Sequence, residues 1–98
     1  MSSTPEGKVK TKIKTLLRKH NAYYTMPVTY GMGQSGAADI LAIYRGVFLA
    51  IEAKADSKGK PTALQSKAAR EVYENGGIPL LIHKDNICFL DNFLDNII

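Results

Sequence analysis

Tryptophan is absent from this sequence, and cysteine occurs once, at Cys88. A lone cysteine excludes an intramolecular disulfide framework and a cysteine zinc site. Set between Ile87 and Phe89, its thiol is expected to be buried. No apolar run approaches the ~18 residues of a membrane-spanning helix, and no signal peptide is read at the N-terminus. These absences agree with a reducing compartment and with no membrane partner. Nucleotide-binding loops are missing too. Gly31-Met-Gly-Gln-Ser-Gly36 neither leads a GxGxxG pattern into a helix nor ends in Lys-Ser/Thr. It is read as a flexible approach to Asp39, with glycines that either admit a phosphate close to the backbone or simply make turns. Acid is scarce at the start of the chain. Glu6 is the only acid among the first twenty residues, against Lys8, Lys10, Lys12, Lys14, Arg18 and Lys19.

What is present fits one domain over residues 1–98, with an ordinary soluble composition: 45% hydrophobic and 22% charged. The core such a chain can bury is small, so self-association would help stability. A net charge of +4 favours a polyanionic partner.

The chain is organised around Gly36-Ala-Ala-Asp39-Ile-Leu-Ala-Ile-Tyr-Arg-Gly46-Val-Phe-Leu-Ala-Ile-Glu52-Ala-Lys54. Two apolar runs, 40–44 and 47–51, are rich in the β-branched and aromatic residues of strands. Arg45-Gly46 between them fits a two-residue hairpin turn. Tyr44 then pairs with Val47, and the same register carries Asp39 opposite Glu52. Directly opposed side chains lie roughly 4.5–5.5 Å apart at Cβ. Lys54 follows Glu52 by two residues and so projects to the same side. Two opposed carboxylates suit a hard cation such as Mg²⁺ or Mn²⁺. A neighbouring ammonium can orient water or neutralise phosphate charge. The plainer reading is that strand-end acids and lysines are solvated surface residues. The register decides between the two, because a slip of one residue moves Asp39 to the other face.

A first helix is predicted from the Thr4-Pro5-Glu6 start to about Lys19, with Val9, Ile13, Leu16 and Leu17 as its apolar stripe. Glu6 lies over that stripe; it either points into a site or only complements the helix dipole. Lys10 and Lys14 are candidate phosphate contacts, the alternative being a solvated lysine face. His20 is read as a helix-end residue rather than a metal ligand. Residues 22–30 read as a strand, at a sheet edge because of Pro27. The loop after Lys54 carries Lys58 and Lys60, further DNA-contact candidates together with Ser35. Thr62-Ala-Leu-Gln65 opens a second helix with a capping box, and Ala68, Ala69, Val72 and Tyr73 are its expected inner face. The box explains Gln65 completely, so a catalytic role for it stands as a separate hypothesis. Gly76-Gly77 ends that helix. Residues 78–83 form a strand reached by a right-handed crossover and hence parallel. A last strand is expected over 87–90, followed by a short tail helix capped by Asp91 and carrying Phe93, Leu94, Ile97 and Ile98.

The ordered set resembles the PD-(D/E)xK nuclease superfamily, and within it the stand-alone VRR-NUC domains of phages and bacteria. It comprises Glu6 on a first helix, Gly36 to Asp39, Gly46, Ile51-Glu52-Ala53-Lys54, then Thr62, Gln65 and Gly77. The resemblance covers about Glu6 to Ile82. It implies an α/β fold with a mixed sheet flanked by helices, in a protein of the bacterial cytoplasm. It implies Mg²⁺ or Mn²⁺ held by Asp39, Glu52 and the Ala53 backbone carbonyl, with Glu6 an additional acid, Lys54 orienting the attacking water, and Gln65 an accessory site residue. The implied activity is endonucleolytic hydrolysis of DNA phosphodiester bonds, with four-way (Holliday) junctions as substrate and a homodimer as the working unit. Flaps or other branched DNA are the alternative substrates. A non-catalytic DNA-binding module using the basic helix is the competing class. Ala38 stands where the family has Pro, and the Val-Arg-Arg run that names the family is missing. The expected dimer contacts lie in the apolar tail or at Tyr23, Tyr24 and Met26.

Overall fold

The computed structural model describes residues 4–27 and 36–97. Its elements run α1 (Pro5–Lys19), β1 (Tyr23–Thr25), β2 (Ile40–Tyr44), β3 (Val47–Ala53), α2 (Ala63–Glu74), β4 (Ile78–Ile82) and α3 (Ile87–Asp95). The hairpin forms as its residues require. Arg45 and Gly46 take φ of 51° and 83°, the left-handed pair of a turn that matches strand twist. Pairing runs from Tyr44↔Val47 to Ile40↔Ile51, which is the register that sets Asp39 against Glu52.

The strands form one sheet in the order β1-β2-β3-β4. β1 joins β2 and β2 joins β3 antiparallel, and β4 lies parallel to β3 after the α2 crossover. β1 is an edge strand, as Pro27 implied, but only three residues long; the remainder of the predicted 22–30 strand, from residue 28, falls outside the described residues.

One face of the sheet carries the core. Ile40, Ala42, Leu49, Ile51, Ala53 and Ile82 are buried there against Val9, Ile13 and Leu17 of α1 and Leu90 and Leu94 of α3. Each fully buried Leu or Ile contributes about 1.5–3 kcal/mol. The opposite face meets α2, a helix with no buried residue. Ala68, Ala69 and Val72 are half-buried, and a cavity of about 900 Å³ lies between this helix and the sheet. Small side chains on the helix leave that space open.

Four expectations are corrected. Tyr73 is 72% exposed rather than part of the inner face, because α2 packs over β4 at the sheet edge and, among the described residues, its flank meets no further strand. Residues 87–90 are helical, not a strand. Ile87, Leu90 and Leu94 repeat at helical spacing, and four apolar residues read alone do not tell a buried strand from a helix. Asn86 turns the chain into α3 by accepting from the His83 N–H at 2.7 Å and donating to the Leu81 carbonyl at 2.9 Å. Asp91 therefore sits within α3 rather than capping a tail helix. Cys88, on the outer side of the same helix, is exposed rather than buried.

Candidate active site

The hairpin ends, the first turns of α1 and the start of α2 converge at one end of the sheet. Glu52 belongs to the α2-facing side of β3, since Ile51 and Ala53 beside it face the core. Lys54, two residues on, emerges on the same side. Asp39 enters from the other strand of the hairpin and is fixed by the backbone: its Oδ2 accepts the Ala53 N–H at 2.9 Å. The N–H and C=O of one strand residue leave toward the same edge. The Ala53 carbonyl therefore faces the Asp39 side as well.

Gln65 ties the acids to the amine. Its Nε2 donates to Glu52 Oε2 at 2.7 Å, and its Oε1 accepts from Lys54 Nζ at 3.1 Å and from the Thr62 N–H at 2.9 Å. The reversed amide would set a carbonyl against a carboxylate, so the network selects this orientation. The capping box is complete, with the Thr62 hydroxyl accepting the Gln65 N–H at 3.1 Å. The same side chain thus starts α2 and bridges Glu52 to Lys54; the two readings of Gln65 are compatible. Lys54 Nζ lies 3.9 Å from Glu52 Oε2.

α1 reaches round from the core side. Lys10 Nζ is 3.5 Å from Asp39 Oδ1 and 3.7 Å from Glu6 Oε2. Glu6 therefore points toward the acids of the hairpin as well as lying in the first helical turn. Lys10, a candidate DNA contact from the sequence, is ion-paired to Asp39 and Glu6 at the site. The signal was present: Lys10 follows Glu6 by one helical turn, so it faces whatever Glu6 faces. Lys14 is half-buried further along α1. Lys58 and Lys60 are exposed on the loop that passes over Lys54, where a Cβ on Gly59 would lie 2.8 Å from the Lys54 Cβ. Ser35 falls outside the described residues. Gly36 is required by tertiary packing. It has φ 82°, and a Cβ there would come within 2.5 Å of the Leu64 backbone at the start of α2.

The electrostatics carry the mark of crowded acid. The Glu52 carboxyl is pushed up from 4.5 to about 7, first by burial and next by the charge and hydrogen bonding of Asp39. Lys54 opposes this rise and Glu6 adds to it. Oxygen donors from paired acids with excess negative charge are the donor set of a hard divalent cation. The residues present fit such an ion.

Among the described residues, one group of three ligand-type side chains has its atoms within 4.8 Å of one another, and it lies elsewhere: His20, Asp91 and Asp95. Here the acid is already neutralised. Asp91 accepts from Lys19 Nζ at 3.1 Å and meets His20 Nε2 at 2.8 Å, contacts that hold its carboxyl below the usual range. His20 is the C-cap residue of α1, as its position implied, and the cluster joins that helix end to α3.

A solved structure described as a VRR_NUC domain superposes on this chain with a TM-score of 0.80 at 25% sequence identity, covering 98% of this chain and 100% of that one. No family model matches the sequence, and no curated protein matches it. The chain has the nuclease fold of a VRR_NUC domain over nearly its whole length, and its described residues form a mixed four-stranded sheet flanked by three helices.

Proposed function

We propose, from this VRR_NUC fold and its site, that the protein is a divalent-metal-dependent endodeoxyribonuclease acting on branched DNA, with four-way junctions as the preferred substrate. The observation that carries the reading is the meeting of Asp39 and Glu52 at the hairpin end, with Lys54 and Gln65 locked beside them. Asp39 Oδ1, the Glu52 carboxylate and the Ala53 carbonyl would hold Mg²⁺ or Mn²⁺, with Glu6 as a further acid. Such an ion, when bound, would supply Lewis-acid polarisation of the phosphate and charge stabilisation for the leaving oxygen. Lys54 orients the water that attacks phosphorus and offsets charge on the phosphoryl oxygens. Gln65 holds both the Glu52 carboxylate and the Lys54 amine, so neither is free to rotate away. The basic face of α1 and Lys58 and Lys60 supply phosphate contacts near the site.

Resolving a four-way junction takes two symmetric cuts, which a two-fold dimer supplies. Apolar surface for such a dimer exists away from the tail. Tyr23, Ile43 and Phe48 lie side by side across three strands and are 70%, 46% and 39% exposed. Leu94 is buried in the core, and Phe93 and Ile97 pack against it, so these tail residues serve the fold first. Ile98 falls outside the described residues.

The test is incubation with linear, flapped and four-way DNA, with and without Mn²⁺, alongside light scattering. Paired cuts in the four-way junction, dependent on Mn²⁺, and a mass twice 10.7 kDa are expected. Nicked flaps with unpaired junction cuts would retain a nuclease and refute a resolvase. DNA binding without cleavage in any divalent ion would refute the enzyme.

A further inference from the structure

We propose that Lys10 is a tethered occupant of the metal position: it neutralises Asp39 and Glu6 in the metal-free protein, then swings to a DNA phosphate when a divalent cation takes Asp39. The inference rests on the metal-dependent reading above.

The two oxygens of Asp39 are not equivalent. Oδ2 is held by the Ala53 N–H at 2.9 Å. Oδ1, the oxygen left for a cation, already faces an ammonium, Lys10 Nζ, at 3.5 Å. The same ammonium is 3.7 Å from Glu6 Oε2, so it sits between an acid of α1 and an acid of the hairpin. Lys54 and Gln65 are committed to Glu52, on the other side of the site. Lys10 is thus where a cation is demanded, and among the described residues it is the one ion-paired to Asp39.

Its contacts are loose. Both distances exceed the 2.7–2.9 Å of a strong charge-assisted hydrogen bond. The Lys10 side chain is 30% exposed, and its four-carbon stem lets the charge move without moving α1. A divalent cation at Asp39 Oδ1 would repel an ammonium held 3.5 Å from that oxygen, so binding one disfavours the other. Released, Lys10 projects from the same helix as Lys14, one turn along, on the basic element nearest the acids. Metal occupancy and a Lys10–phosphate contact are then coupled, and the coupling is reciprocal.

Calorimetric titration of Mn²⁺ without DNA tests the first half, using the parent, Lys10→Met and Lys10→Arg. Both replacements keep a straight-chain helix former, and melting in EDTA verifies the fold. Lys10→Met is expected to bind Mn²⁺ about three- to tenfold more tightly, the range set by losing two partly exposed ion pairs. Lys10→Arg is expected to bind no more tightly than the parent. The second half is read from the salt dependence of duplex binding. In Ca²⁺ the log–log slope of the parent should exceed that of Lys10→Met by about 0.9, one phosphate contact, and in EDTA the two slopes should coincide. Equal Mn²⁺ affinity of parent and Lys10→Met, or a slope difference identical in Ca²⁺ and EDTA, overturns the role of Lys10 and leaves the nuclease reading intact. Absence of Mn²⁺ binding in both proteins overturns the two readings together.

Discussion

On its core side the sheet meets α1 and α3, and Ile13, Leu17, Leu49, Ile51, Leu90 and Leu94 are fully buried. On its other side it meets α2, none of whose residues is buried, across a cavity of about 900 Å³. Glu52, Lys54 and Gln65 belong to this second side. The contrast separates two tasks. One face supplies the free energy that holds the hairpin in register, and the other leaves room beside the acids for a polyanion to approach. A densely packed α2 face would hide Glu52, and a loose α1 face would let the register drift.

The contrast is broken most strongly at the core. Leu49→Ala should destabilise the protein by about 2–5 kcal/mol in denaturant unfolding, the cost of a cavity in a packed site. Val72→Ala, beneath the half-buried α2, should cost only about 1 kcal/mol. Comparable losses at the two positions would erase the distinction between faces.

Next comes the chemistry. Asp39→Ala should reduce Mn²⁺-dependent cleavage by at least about two orders of magnitude while DNA binding survives. Lys54→Ala should also lose cleavage yet keep Mn²⁺ affinity in calorimetry, since Lys54 is no ligand. Lys54→Arg should rescue poorly, because a planar guanidinium does not replace a compact ammonium. Lost Mn²⁺ affinity in Lys54→Ala would contradict that division of roles.

Gln65 tests whether the two tasks share a residue. Gln65→Glu keeps an oxygen for the Thr62 N–H and for Lys54, so the start of α2 should persist. It places a fourth carboxylate, after Glu6, Asp39 and Glu52, where an amide donated to Glu52 at 2.7 Å. Cleavage should fall about 10–100-fold, as for partners that orient a metal ligand. Parent-like activity would reduce Gln65 to a helix cap.

Much of this arrangement was legible in the chain. Arg45-Gly46 dictates a left-handed turn, and alternation then leaves one register in which the apolar residues face the core. Asp39 against Glu52 follows from that alone. The Thr62–Gln65 box was equally plain. What was not legible depends on packing at a distance. α3 was hidden because Ile87 to Leu90 is too short to display a period, and Leu94 had to be placed against α1 to reveal it. The contact of Lys10 with Asp39 was half legible: its one-turn spacing from Glu6 stood in the chain, but that the first turns of α1 reach the strand ends depends on how the helix packs. Gly36 belonged to a loop read either as a close approach for phosphate or as ordinary turns, and its packing against α2 shows only once that helix is laid against it.

A smaller effect sharpens the comparison from the stability side. With its carboxyl raised to about 7, folded Glu52 keeps a proton that the unfolded chain releases near 4.5. The folded state binds more protons within that window, so the contribution of Glu52 to stability falls as pH rises from 4.5 to about 7 and is flat above. In EDTA the stability of the parent relative to Glu52→Gln should therefore decline between pH 5 and pH 8. Mn²⁺ should cancel the decline. A difference independent of pH would mean that the acids are not crowded.

The most direct test is Mn²⁺-dependent cleavage of a four-way junction by Glu52→Gln, a replacement of equal shape that still accepts the Gln65 hydrogen bond. The account predicts no detectable cleavage from a protein that melts, in EDTA at pH 8, at or above the parent temperature, because a half-buried and repelled charge has been removed without loss of packing. Cleavage near the parent rate by that folded variant would contradict the claim that the outer-face acids form a metal-dependent nuclease site.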